Sequence, residues 1–142
     1  MSMQEIDVRR NTAAAPTAVW ALLDDSTSWP DWTPIESCEI ERARAEGVNE
    51  IRRFVTGRVK VREEIIEREP QRRLVYTLLS GLAVRDYYAE IDLTPGAEGT
   101  EVRWHTTFAA KLPGMGGIYR RALEKATRQF VDGLCARAAG DG

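Results

Sequence analysis

Histidine and cysteine are scarce in this chain. Its 142 residues include one histidine, His105, and two cysteines, Cys38 and Cys135. No local group of them has the spacing of zinc ligands, so no metal site is expected. A Ser-His-Asp triad would need His105, which sits among alternating strand residues on the outward side. Both thiols read as small apolar packing groups. Glycine clusters only at Gly114-Met115-Gly116-Gly117, with neither a Walker loop nor a dinucleotide fingerprint around it, so no cofactor is expected. Apolar runs are a few residues long, too short to cross a bilayer, and stable membrane insertion is not expected. The start lacks a basic segment followed by an apolar one, so a cytoplasmic location is expected. Basic residues number 20 against 22 acidic, for a net charge of −2, which argues against a nucleic-acid partner.

What remains is an ordinary globular composition, 43% hydrophobic and 30% charged. The length suits a single domain over residues 1–142. Gln4–Arg10 reads as a first strand. Pro16 opens a helix to Asp24, and Ser26–Pro34 reads as a short helix or loop holding Trp29 and Trp32. Ile35–Glu41 is a second strand, followed by a turn at 46–49. Five strands follow over 50–56, 59–67, 72–80, 83–93 and 100–110, with links short enough to require antiparallel pairing. The link over 94–99 is read as a six-residue loop. From Met115 to Ala139, apolar residues recur at three- and four-residue steps, predicting a helix about 37 Å long at about 1.5 Å per residue. The fold class is therefore α+β. A seven-stranded antiparallel sheet has one face covered by a long C-terminal helix, with two short helices after the first strand.

Strand alternation assigns the inward face. Thr100, Val102, Trp104, Thr106 and Phe108 face in, as do Arg85, Tyr87, Ala89, Ile91 and Leu93. Turn lengths extend the inward set to Arg52, Phe54, Val59, Val61, Glu63, Ile65, Leu74, Tyr76 and Leu78. The same turns place Arg52, Glu63, Tyr76, Tyr87 and Thr106 in one row across the concave face. A slip of two residues would break the row and keep all five inward. Buried arginine and glutamate are costly unless paired, so the row points to a partly wet cavity. Two readings stand. Arg52 and Glu63 form a structural ion pair that the tyrosines satisfy, or the row orients a ligand. Proton transfer would fall to Glu63, Tyr76 or Tyr87, with Arg52 polarising an oxygen. The expected ligand contacts on the sheet are Arg52, Phe54, Val61, Glu63, Tyr76, Leu78, Arg85, Tyr87, Trp104, Thr106 and Phe108. Tyr119 and Leu123 join them from the long helix. Of the two tryptophans, Trp32 is favoured over Trp29 as a cavity wall.

Several stretches carry a resemblance: Ala15-Pro16-Thr17-Ala18-Val19-Trp20, Trp29-Pro30-Asp31-Trp32-Thr33-Pro34, and Arg62-Glu63-Glu64-Ile65 with Glu69-Pro70. Leu74-Val75-Tyr76, the run from Ser80 to Tyr87, Leu93-Thr94-Pro95 and Gly99–Trp104 follow in order. The chain resembles the START-like (SRPBCC) superfamily, in its polyketide cyclase/dehydrase branch. One departure is Val48-Asn49-Glu50, where Val-Gly is common before the third strand. The resemblance implies a helix-grip fold, a curved sheet gripping the C-terminal helix around a deep cavity. It carries over no catalytic set. Three functions remain in view. One is binding of a small hydrophobic or aromatic molecule, lipid- or polyketide-like. Another is aldol cyclisation or dehydration of a polyketide in the same cavity. The third is partner binding by a protein whose cavity is vestigial. A monomer or homodimer is expected, as is a small hydrophobic molecule as partner.

Overall fold

The first strand alternates Ile6 and Val8, both buried, with outward acidic residues, and it runs further than its apolar core. In the computed structural model, which describes residues 3–43 and 49–140, β1 spans Gln4–Thr12. The Thr12 hydroxyl donates to the Cys135 carbonyl at 3.0 Å, tying the strand end to the C-terminal helix. Helix α1 (Pro16–Asp24) begins at Pro16, which has no amide N–H to leave unpaired in the first turn, and it buries Val19, Trp20 and Leu23. A 3-10 turn over Ser26–Asp31 follows, capped by Asp25, whose carboxylate accepts from the Thr27 amide at 3.1 Å.

The remaining strands are β2 (Ser37–Arg42), β3 (Ile51–Thr56), β4 (Val59–Glu69), β5 (Arg73–Ser80), β6 (Val84–Gly96) and β7 (Gly99–Ala110). With β1 they form one seven-stranded sheet, ordered β1-β7-β6-β5-β4-β3-β2 and antiparallel throughout. Helix α2 (Gly116–Ala138) covers the concave face. The turn expected over 46–49 lies outside the described residues, apart from Asn49 with its φ of 68°. No helix among the described residues is long and apolar enough to cross a membrane. The same residues contain no group of His, Cys, Asp and Glu able to hold a metal ion.

The register departs from expectation in a regular way. Arg52 faces Glu63 as the tight turn at Gly57-Arg58 requires. Beyond β4 each pairing slips by two, so Glu63 faces Leu78, Ile65 faces Tyr76, and Ala89 faces both Tyr76 and Thr106. The turns are the reason. The β4–β5 link is shorter than expected, with Gln71 at a φ of 66°, and bulges interrupt β4. The supposed six-residue loop over 94–99 is a two-residue turn, since Gly96 pairs with Gly99. A slip of two preserves which face a side chain occupies. Among the residues expected inward, one is turned out by a break in parity. A bulge between Arg85 and Tyr88, with Asp86 at a φ of 54°, turns Val84 inward and leaves Arg85 exposed. Arg85 was expected inward; the bulge overturns that.

The convex face takes most of the charge. Arg103 meets Asp7 across β7 and β1, and Arg73 meets Glu90 and Asp92 across β5 and β6. His105 faces outward, 2.6 Å from a Glu5 carboxylate oxygen.

Candidate functional site

Helix α2 packs mainly on β1 and β7. It leaves a gap over β3, β4 and β5, which the 3-10 turn partly fills. Trp29 is driven into that gap and is fully buried, its indole N–H donating to the Leu23 carbonyl at 3.2 Å. Around it lie Phe54 (5.3 Å between ring centroids), Trp104 (5.5 Å) and Phe130 (6.4 Å). Beside this cluster remains a cavity of about 290 Å³. Trp29 and Phe54 form one wall. Val61, Glu63, Tyr76 and Tyr87 form the sheet side. Leu123, Ala126 and Phe130 form the helix side. The small side chains of Ala122 and Ala126 on α2 keep the space open. Wider grooves beside the turns at 111–114 and 96–99 have no aromatic wall.

The polar end of the cavity is built on an ion pair. Arg52 has no exposed surface. Its Nε donates to Glu63 Oε1 at 3.1 Å, while Nη2 lies 3.0 Å from the same oxygen without hydrogen-bond alignment. Nη1 donates to Ser26 Oγ at 3.1 Å, and the Ser26 hydroxyl donates to the buried Glu50 carboxylate. The guanidinium carbon stands 4.0 Å from the Trp29 ring centroid, 4.6 Å from Phe54 and 4.8 Å from Tyr76. Three rings and two polar partners thus enclose one cation. The chain runs Glu50, Ser26, Arg52, Glu63, with two carboxyl groups for one guanidinium. Burial pushes the Glu63 carboxyl above its ordinary range, and the Arg52 charge only partly offsets this. Burial likewise raises the phenols of Tyr76 and Tyr87, which lie 6.3 Å apart between ring centroids. Both hydroxyls stay protonated and able to donate.

The structure sorts the expected contact residues. Phe54, Val61, Glu63, Tyr76, Tyr87 and Leu123 line the cavity. Arg52 lies behind Glu63 and does not reach its surface. Trp104, Thr106 and Phe108 are core residues beneath it, with Thr106 Oγ1 lacking a hydrogen-bond partner among the described residues. Leu78 packs at the edge of the core. Tyr119 lines a smaller adjoining recess of about 220 Å³, which shares Leu82, Ala122 and Leu123 with the cavity. Trp32 is buried but turned away, its indole N–H held by Ser28 Oγ at 3.1 Å. Trp29 takes the wall position expected of Trp32, because the 3-10 turn points residue 29 at the sheet. Exposed Arg85 contributes nothing here. Strand alternation gave no sight of Trp29, Phe130, Ala122 and Ala126. Small residues on the apolar stripe of α2 were the signal for the last two.

Comparison with known proteins agrees with this architecture. Among curated proteins none matches the sequence. Solved structures match along nearly the whole chain. TTHA0849 from Thermus thermophilus aligns with a TM-score of 0.77 at 23% identity, covering 98% of this chain and 99% of its own. A START superfamily protein from Mycobacterium smegmatis gives 0.79 at 17%, covering 96% of both chains. The di-domain ARO/CYC StfQ from the steffimycin biosynthetic pathway gives 0.83 at 15%, over 96% of this chain and 50% of that one. At these identities the likeness shows the fold, which is START-like. The profile described as polyketide cyclase/dehydrase and lipid transport matches residues 3–139, and to that family the chain belongs.

Proposed function

We propose that the protein binds a small hydrophobic or aromatic molecule in the cavity between the sheet and α2. One observation carries this reading. Aromatic walls border about 290 Å³, and Glu63, Tyr76 and Tyr87 line its sheet side. Binding sites for small molecules have this make-up, mostly apolar with a few polar groups that fix orientation. At about 30 Å³ per water, the space holds about ten water-sized groups. That suits one or two rings better than a long acyl chain. Titration calorimetry with 2-naphthol tests the reading. Binding to the wild-type protein, lost in Ala126→Phe with the fold intact, supports it. No heat of binding, together with nothing recovered by organic extraction and mass spectrometry, would overturn it.

A catalytic reading has one observation in its favour. Glu63 combines a position on the cavity wall with a carboxyl held above its ordinary range. Such a group suits proton transfer in an aldol cyclisation or dehydration. Arg52 is too well enclosed to polarise a substrate oxygen directly. If this reading holds, Glu63→Gln keeps ligand binding and abolishes turnover of a poly-β-ketone substrate. Undiminished turnover removes Glu63 from the reaction.

A further inference from the structure

We propose that Glu63 makes the cavity selective against anions, so that its ligand is an uncharged ring compound bearing a hydroxyl or carbonyl group. This rests on the binding reading above and adds the charge class. None of the described residues lining the cavity is basic, and Glu63 is the acidic one among them. The nearest cation among the described residues is Arg52, and it is boxed in. Its Nε is held by Glu63 and its Nη1 by Ser26, its Nη2 lies 3.0 Å from the same Glu63 oxygen without hydrogen-bond alignment, and its faces are covered by Trp29, Phe54 and Tyr76. It has no exposed surface and is not among the lining residues, whereas Glu63, whose carboxylate lies against its Nε and Nη2, is.

A carboxylate entering this space would give up its water without gaining a cation, a cost that buried charges avoid only by pairing. If Glu63 is ionised, it adds repulsion between like charges. If Glu63 is protonated, a single hydrogen bond is a small return for the lost hydration. A neutral hydroxyl or carbonyl escapes both costs. It finds the phenols of Tyr76 and Tyr87 and the Glu63 carboxyl, beside an aromatic wall that takes its rings. Selectivity here comes as much from what is penalised as from what is attracted.

The test is a matched pair of probes, 2-naphthol and 2-naphthoate, titrated calorimetrically into the wild-type protein at neutral pH. The two share a ring system and differ in charge. The expected result is naphthol binding, with naphthoate weaker by about tenfold or more. Naphthoate binding as tightly as naphthol overturns the inference and leaves the binding reading standing. Failure of both probes, together with nothing recovered by organic extraction and mass spectrometry, removes the binding reading itself. Glu63→Ala carries the second arm. Removing the carboxyl uncovers Arg52 Nε and Nη2, so naphthoate should gain affinity relative to naphthol and raise the melting temperature of the variant more than naphthol does. A folded Glu63→Ala protein that keeps the wild-type preference also overturns the inference. Should that variant fail to fold, the wild-type pair still decides.

Discussion

Gly133 of α2 lies directly against the backbone carbonyl of Trp32, and a β-carbon at that position would collide with it. The contact sets how closely the helix seats on the 3-10 turn that carries Trp29. Since the obstacle is backbone, it has little freedom to move aside. Gly133→Ala therefore has an unusual expected sign. In an exposed helix interior the change would stabilise by about 1 kcal/mol. Here overpacking should outweigh that gain, for a net loss of about 1–2 kcal/mol. Urea unfolding checks it, and a more stable variant would show that the helix can lift without cost.

Trp29 joins the core to the cavity. It stacks near Phe54 at an interplanar angle of 29°, meets Trp104 edge-on at 74°, and covers the Arg52 guanidinium. Trp29→Ala should cost about 3–5 kcal/mol, as for other large core truncations. It should also enlarge the cavity and leave Arg52 without its nearest ring. Trp32→Ala should lower stability while leaving naphthol affinity close to wild type, because Trp32 lines no part of the cavity. Unfolding curves and calorimetry on the two variants separate these effects.

The contrast between those tryptophans shows what the sequence made legible. Strand periodicity is local, and it placed Phe54, Glu63, Tyr76 and Trp104 on the correct face although the register was off by two. Parity survives such a slip, so an inward list is more robust than a list of partners. Arg85 is placed inward by alternation but lies exposed, because a bulge leaves no clear mark in alternation. Trp29 and Trp32 lie in one turn with no period to read, and only tertiary packing decides which meets the cavity. The enclosure of Arg52 was invisible for a related reason. Two of its neighbours, Ser26 and Trp29, come from a segment more than twenty residues away.

Cys38 and Cys135 are half-buried free thiols. Burial is the leading cause that pushes both up to about 11. Thiolate is the reacting species, so its scarcity slows alkylation. Both cysteines should react with iodoacetamide at mildly alkaline pH at least about tenfold more slowly than free cysteine, and at the normal rate once urea unfolds the protein. Mass spectrometry of a timed quench reads the two sites separately. Rapid labelling of either in the native state would show that its surroundings open readily.

Glu63 also predicts how stability responds to pH. Its carboxyl is raised in the folded state, with burial the main cause and the Arg52 charge opposing. Below the ordinary carboxylate range the group is protonated both folded and unfolded, and its favourable contribution is complete. As pH rises through the ordinary value the unfolded chain releases the proton first. Stability then falls until the folded carboxyl ionises. Asp7 runs the other way, lowered by its hydrogen bond with Arg103, so its contribution is lost as pH falls. That pair is about a third exposed and its effect is small. Glu63→Gln keeps the shape of the protonated carboxyl, and Arg52 retains Glu50 through Ser26 as a balancing charge. The variant should lie closest to wild type below about pH 4 and become the more stable of the two toward about pH 8. Urea unfolding of both proteins across that interval measures the difference. A gap independent of pH, or one widening in favour of wild type as pH rises, would mean that the folded protein favours the ionised pair.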